Sequence, residues 1–316
     1  MAKLSMNSSD LLESIKSRAQ VPISQIALSD DDLLRFATEE IQLKVVPSVL
    51  SVREEFYVTE VTVPMVANQS NYKIPYRAIG GKVRFVYFMQ AGTQPAPMAQ
   101  IPMEELVSYQ NSSFTDQNAG FYLQNDELII LPPVSGVISA TLRFKYYLKP
   151  NTVVKLNRGA RISSINTSTG DILVETVPSN ITAASEIDFI GSTGNFKNKG
   201  FDIIVTAVSS ISKLISVSPA NIPADLQVGD YICTAGETVI PQVPAELQVM
   251  VAQAVACRIL EAIGDTQGLQ NANAKLTEME VKLLAVIDSR VESPGRKVIN
   301  PNSFLRNNRF VRRWIY

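Results

Sequence analysis

The side chains able to do chemistry in this chain are carboxylates and thiols, because histidine is absent. Its absence removes the commonest general base and metal ligand. Three adjacent acid pairs, Glu39-Glu40, Glu54-Glu55 and Glu104-Glu105, could supply the two carboxylates of a glycoside hydrolase. No feature of the spacing sets any two across a cleft, and adjacent acids ordinarily mark a solvated face. Asp30, Asp31 and Asp32 invite a metal reading, but consecutive residues on a helix point apart. Following Ser29, they read instead as the first turn of a capped helix, where the dipole favours anions. Cys233 and Cys257, without a histidine or a third thiol, do not make a zinc site. The Gly-rich stretch FIGSTGNFKNKG (189–200) lacks the Gly-Lys-Ser/Thr ending and a following amphipathic helix, so it reads as an exposed hairpin or loop. Phe85, Tyr87 and Phe88 resemble the stacking aromatics of an RNA-binding sheet, but alternation sends half of them to the core and the surrounding domain is not basic. No catalytic, cofactor-binding or metal-ligating residue is assigned, and the expectation is a protein that is not an enzyme.

Interaction chemistry is concentrated at the end of the chain. Ser293 to Tyr316 contains Arg296, Lys297, Arg306, Arg309, Arg312 and Arg313 and no acid. Phe304, Leu305, Phe310, Val311, Ile315, Tyr316 and the only tryptophan, Trp314, are interleaved with them. Disordered tails lack large apolar residues, whereas arginine and aromatics are the anchors of interfaces. Residues 293–316 are therefore expected to be an extended docking arm that orders on a partner. The alternative is a strip that folds back over its own body. The arm's six bases leave residues 1–292 with 23 bases against 30 acids, a net −7. That balance suits self-association or an acidic protein partner; nucleic acid is an alternative for the arm and not for the body.

The elements that position this arm read as an α+β protein. Residues 1–52 carry two helical patterns. The first, 8–20, is capped by Ser8 or Ser9 and has Leu11, Leu12 and Ile15 as its stripe. In the second, Leu33, Ala37, Ile41 and Val45 recur every four residues, and Pro47 is expected to stop or kink the helix. From 53 to 150 the period becomes two, with a hairpin at Asn125-Asp126, and predicts an antiparallel β domain. Residues 151–240, with a turn at Thr169-Gly170, predict a small inserted barrel or sandwich. Residues 241–292 return to helix. The first, around Leu247 and Val251, is apolar on most of its circumference. The second carries Leu269, Ala272, Leu276, Met279, Leu283 and Val286 at spacings of three and four. Both ends should join in one bundle with the β structure hung between them. No apolar run reaches membrane-span length, and the N-terminus lacks the apolar core of a signal peptide. Synthesis in a reducing cytoplasm is the expectation.

This layout resembles the head-to-tail adaptor (connector, or head-completion) proteins of tailed bacteriophages. The likeness is carried by the capped acidic helix SDDDLLRFATEEIQ, the inserted β region, the closing helix PAELQVMVAQAVACRILEAIG with its partner, and the basic-aromatic arm. The resemblance implies a homo-oligomeric ring, commonly of twelve copies, under the portal at the neck of the virion. It also implies a portal protein and a tail or second neck protein as partners, and double-stranded DNA passing non-specifically through the ring. No cofactor and no membrane are implied. Within that reading the arm docks on the portal, and Leu33, Ala37, Ile41, Val45, Leu247, Val251, Leu276 and Leu283 pack the bundle that forms the ring wall. The alternatives are another tail, baseplate or fibre-attachment protein and, less favoured, an enzyme with a carboxylate site.

Overall fold

The computed structural model describes residues 6–20, 28–90, 94–110, 119–132, 139–193 and 198–287. The arm, with Arg296, Lys297, Phe304, Arg306, Arg309, Phe310, Arg312, Arg313, Trp314 and Tyr316, lies outside them.

The chain opens with helices α1 (Ser8–Ala19), α2 (Asp30–Glu40) and α3 (Val46–Val52). Asn7, not Ser8 or Ser9, caps α1; its side chain accepts from Asp10 N while Asp10 accepts from Asn7 N. Ser29 and Asp32 make the same reciprocal box on α2. Pro47 neither stops the helical path nor ends it. A π-helical turn, Ile41–Val45, carries α2 directly into α3. The spacing of the buried residues explains that turn. Each step of four residues overshoots an α-helical turn by about 40°, so a seam of such steps would wind away from the core. The wider π turn brings it back, and Leu33, Ala37, Ile41, Val45 and Val49 all stay buried.

The β structure follows as β1 (Val58–Pro64), β2 (Asn71–Lys73), β3 (Ala78–Gln90), β4 (Ala96–Pro97), β5 (Ala99–Gln100), the short helix α4 (Leu106–Gln110), β6 (Gly120–Gln124), β7 (Glu127–Leu131) and β8 (Ala140–Leu148). They form two four-stranded sheets, ordered β1-β8-β3-β4 and β2-β7-β6-β5. Phe88, Val86, Leu142 and Phe144 from the first meet Tyr72, Phe121, Leu128 and Ile130 from the second in one core, which makes a sandwich. Pairing is antiparallel except for β5 with β6. The expected hairpin is β6-β7, with Asn125 at φ 54° in its turn.

Next come β9 (Thr152–Val153), β10 (Ala160–Asn166), β11 (Asp171–Val174), β12 (Glu186–Ile190), β13 (Asn198–Ser209), β14 (Leu214–Val217), β15 (Tyr231–Thr234) and β16 (Glu237–Thr238). Strands β10-β11-β14-β13-β12-β15 close into a six-stranded barrel around Ile162, Ile172, Phe189, Val205 and Ile232. Gly170, at φ 81°, makes the β10-β11 turn. The chain approaches the barrel on β9 and leaves it on β16, and these two pair side by side in parallel.

Helices α5 (Ala245–Ile263) and α6 (Thr266–Ile287) close the described chain. Buried residues of α1, α2, α3, α5 and α6 share one apolar core, with Val153 of β9 within it. Small residues of α5 (Ala252, Ala254, Ala256) let its neighbours approach on several sides. The α6 seam holds through Leu283 but ends on Ile287, which is buried, while Val286 is exposed. A straight helix of 3.6 residues per turn reaches its partner one residue later than a heptad would. Among the described residues no helix is long and apolar enough to cross a membrane.

Candidate functional site

The acids that could have formed a catalytic pair are dispersed, and those of the first two pairs are bound by cations. Glu39 is bound by Arg258 of α5 at 2.8 Å, and Glu40 lies 3.5 Å from the same guanidinium. Glu54 takes Arg84 and the Tyr147 hydroxyl, and Glu55 takes Arg53. Glu104 and Glu105 stand exposed beside α4. Asp30 pairs with Lys16, Asp31 with Lys155 and Asp32 with Arg35. The Ser29 hydrogen bonds hold the Asp32 carboxyl below its usual range, as a capping role requires. Among the described residues no cluster could hold a metal ion. Burial pushes the thiols of Cys233 and Cys257 up, away from the reactive thiolate. The Gly-rich stretch joins antiparallel β12 to β13, with no helix after it.

A cleft of about 490 Å³ lies where α1 and α2 meet the barrel, lined by Ser9, Asp30, Lys155, Arg161, Glu175 and Tyr231. Its charges are satisfied within the protein: Lys155 binds Asp31 and Arg161 binds Glu175. It is a seam between elements and holds no converging set of reactive groups.

The most elaborate polar constellation is buried and was not visible in the sequence. Arg77, in the turn before β3, donates to both carboxylate oxygens of Asp188 at 2.7 and 2.9 Å. It also bonds Asp202 of β13 and Asn151. Asp188 is fully buried in β12 and accepts further from Asn151 Nδ2, Asp202 N and Gly236 N. Gln242, just before α5, accepts from Asn151 N and donates to Asn198. Burial alone would lower the Arg77 pKa; its hydrogen bonds to Asp202 and Asp188 outweigh that and carry it upward. One guanidinium thus ties the sandwich to the barrel and, through Asn151 and Gln242, to the closing helices. Only one local signal could have shown it: an acid set in the apolar run Ile187-Asp188-Phe189.

The residues expected to pack the bundle all reach the helical core. Leu33, Ala37, Ile41, Val45, Leu247 and Val251 are no more than 1 % exposed, Leu276 is buried, and Leu283 packs against them half-buried. Side chains so enclosed pack within one chain and present no surface to a second. Buried glutamines on α5 join the same layer: Gln248 accepts from Met6 N, and Gln253 accepts from Arg18 and donates to Ala272 O.

The aromatic strand divides as alternation demands. Phe88 enters the sandwich core, while Phe85 and Tyr87 face outward with ring centroids 6.2 Å apart. Arg84 lies over Phe85 at 5.4 Å and Lys145 over Tyr87 at 5.6 Å.

No curated protein matches the chain. The family model for the SU10 adaptor protein matches residues 6–167, which spans α1 to α3, the whole sandwich and the first barrel strand. That match covers just over half of the 316 residues, agrees with the layout likeness to phage head-to-tail adaptors, and shows that the chain belongs to the SU10 adaptor protein family, a family of structural proteins.

Proposed function

We propose that this protein is a head-to-tail adaptor that forms a ring under the portal at the phage neck, joins the portal to the tail and encloses the DNA channel. The observation that carries the reading is the family match over residues 6–167. The dispersal of the acids supports a structural role. Twelve copies, the portal as partner and a tail or second neck protein on the other side follow from the family resemblance. In this reading the outward faces of residues 29–50 and 245–292 form the ring wall, and the β domains project from it. The arm docks in grooves of the portal, with Phe310 and Trp314 as apolar anchors and Arg309, Arg312 and Arg313 pairing with acids. Each such anchor contributes roughly 2 kcal/mol, and ring valency multiplies contacts that are weak singly. DNA passes through the channel without sequence-specific contact.

Truncation of residues 296–316 tests the arm. The shortened protein should fold with an unchanged unfolding midpoint and fail to join portal-bearing, DNA-filled heads. Normal particle assembly would overturn the docking role. A lowered midpoint would assign the arm to its own body. Electron microscopy of virions that places the protein at the baseplate or fibres would replace the neck reading with the other structural one.

A further inference from the structure

The sandwich carries two complementary surfaces on opposite sides. The outer face of the β1-β8-β3-β4 sheet is built in rows by its register: Glu60, Lys145 and Phe85 in one, Thr62, Arg143, Tyr87 and Pro97 in the next. Lys82 and Arg84 flank them on β3. Phe85 is 48 % exposed. Glu54 and Glu60 offset two of the four cations, so the face keeps a surplus of two positive charges around an aromatic centre.

The far side of the sandwich has the opposite character. Leu128 and Ile130 of β7 point into the core, so Ile129 and Leu131 face the other way, where they are nevertheless buried. Helix α4 packs on β7. The turn leading into it, Met103–Glu105, projects a knob on which Met103 is 79 % exposed. Glu104 and Glu105 are exposed on the same knob, and among the described residues neither has a basic partner. The knob therefore presents two carboxylates and a thioether. These are the groups that an aromatic face with two surplus cations would recognise.

We propose that the knob at 103–107 of one copy docks on the outer sheet face of the next, around Phe85, Tyr87, Arg143 and Lys145. Met103 sits on the two rings while Glu104 and Glu105 pair with Arg143 and Lys145. Two different patches on opposite sides of one domain make a head-to-tail contact, which closes into a ring when its rotation allows. Both patches lie in the stretch that matches the adaptor family. The proposal deepens the ring reading and rests on it. Nucleic acid suits the face less well, because Glu60, at the edge of the first row, places a carboxylate beside Arg143 and Lys145.

A charge swap tests the contact. Full-length protein carrying Glu104→Lys with Glu105→Lys, and a second carrying Arg143→Glu with Lys145→Glu, are compared with wild type by sedimentation and native mass over a concentration series. Circular dichroism confirms the fold of each. Each variant alone should associate at least about a hundredfold more weakly, since like charges then face one another. An equimolar mixture of the two should recover wild-type assembly, because each altered surface meets its complement. Wild-type assembly by either variant alone, no recovery on mixing, or a wild type that stays monomeric throughout would overturn the contact. Loss of duplex DNA binding by the Arg143→Glu, Lys145→Glu protein with assembly intact would reassign the face to nucleic acid. A ring at the virion neck that tolerates both swaps would sink this contact and leave the ring reading standing. Absence of any ring at the neck would remove both.

Discussion

Asp230 shows how a single carboxylate holds a loop region of the barrel. It is almost fully buried and accepts from Ser192 N at 2.8 Å, Gln227 N at 2.8 Å and Lys199 Nζ at 2.8 Å. Burial alone would raise its pKa. The Lys199 pair and the two backbone donors outweigh burial, and the net shift is downward. An unfolded aspartate titrates near 4. Between that value and the lower folded one, the unfolded chain binds more protons than the native one. Stability from Asp230 is thus complete above about pH 4 and is lost as pH falls through the folded pKa. Asp230→Asn should lower the urea midpoint at neutral pH, and the gap from wild type should narrow as the pH is taken below 3.8. A gap that is constant from neutral to acid would show that the charge of Asp230 contributes nothing.

The π turn is the feature to test among the elements. Deleting Leu43, which is largely exposed, removes the one residue by which the π turn exceeds an α turn, so the path closes to regular helix and α3 keeps its buried face. Deleting Arg35 from the regular part of α2 leaves no surplus to absorb, and turns Leu33 and Leu34 by about 100° relative to the residues that follow, at roughly 1.5–3 kcal/mol for each side chain exposed. The Leu43 deletion should therefore be the milder of the two. Urea unfolding of the two variants measures the contrast. Equal stabilities would mean that the π turn does not absorb the lost residue. The seam itself was legible in the sequence as Leu33, Ala37, Ile41 and Val45. The turn was not, because a four-residue period reads the same whether the backbone is straight or locally widened.

For the molecule as a whole, the Arg77–Asp188 pair is a buried tie between the sandwich and the barrel. Arg77→Ala leaves Asp188 buried without its counter-charge, which costs about 3–5 kcal/mol. The variant should unfold at lower urea. Its small-angle scattering should also show a broader particle, as the barrel loses the tie between Arg77 and β12. The double variant Arg77→Met, Asp188→Leu should recover much of the stability, since it leaves no unpaired charge. Unchanged scattering in all three would show that the apolar contacts at the base of the barrel, such as Val154, Ile190 and Val239, orient it unaided.

Local chemistry alone decided much of this protein. Ser29 with Asp32 started α2, Gly170 turned β10 into β11, Asn125 turned β6 into β7, and alternation sent Phe88 inward and Phe85 outward. Such signals lie within a few residues of one another, where capping, φ preference and side-chain period act directly. Cap identity at α1 and the last seam position of α6 differ by a residue from the sequence reading, because neighbouring side chains compete closely there. The tertiary structure decided which distant residues meet. Arg77 and Asp188 are 111 residues apart, and Tyr57 donates to the carbonyl of Gln242 across 185. No local pattern records such pairs, since they result from how sandwich, barrel and helices close on one another. The same holds for the two faces of the sandwich. Met103-Glu104-Glu105 and the row of Phe85 and Lys145 are ordinary stretches along the chain, and become complementary surfaces only once two sheets have packed between them.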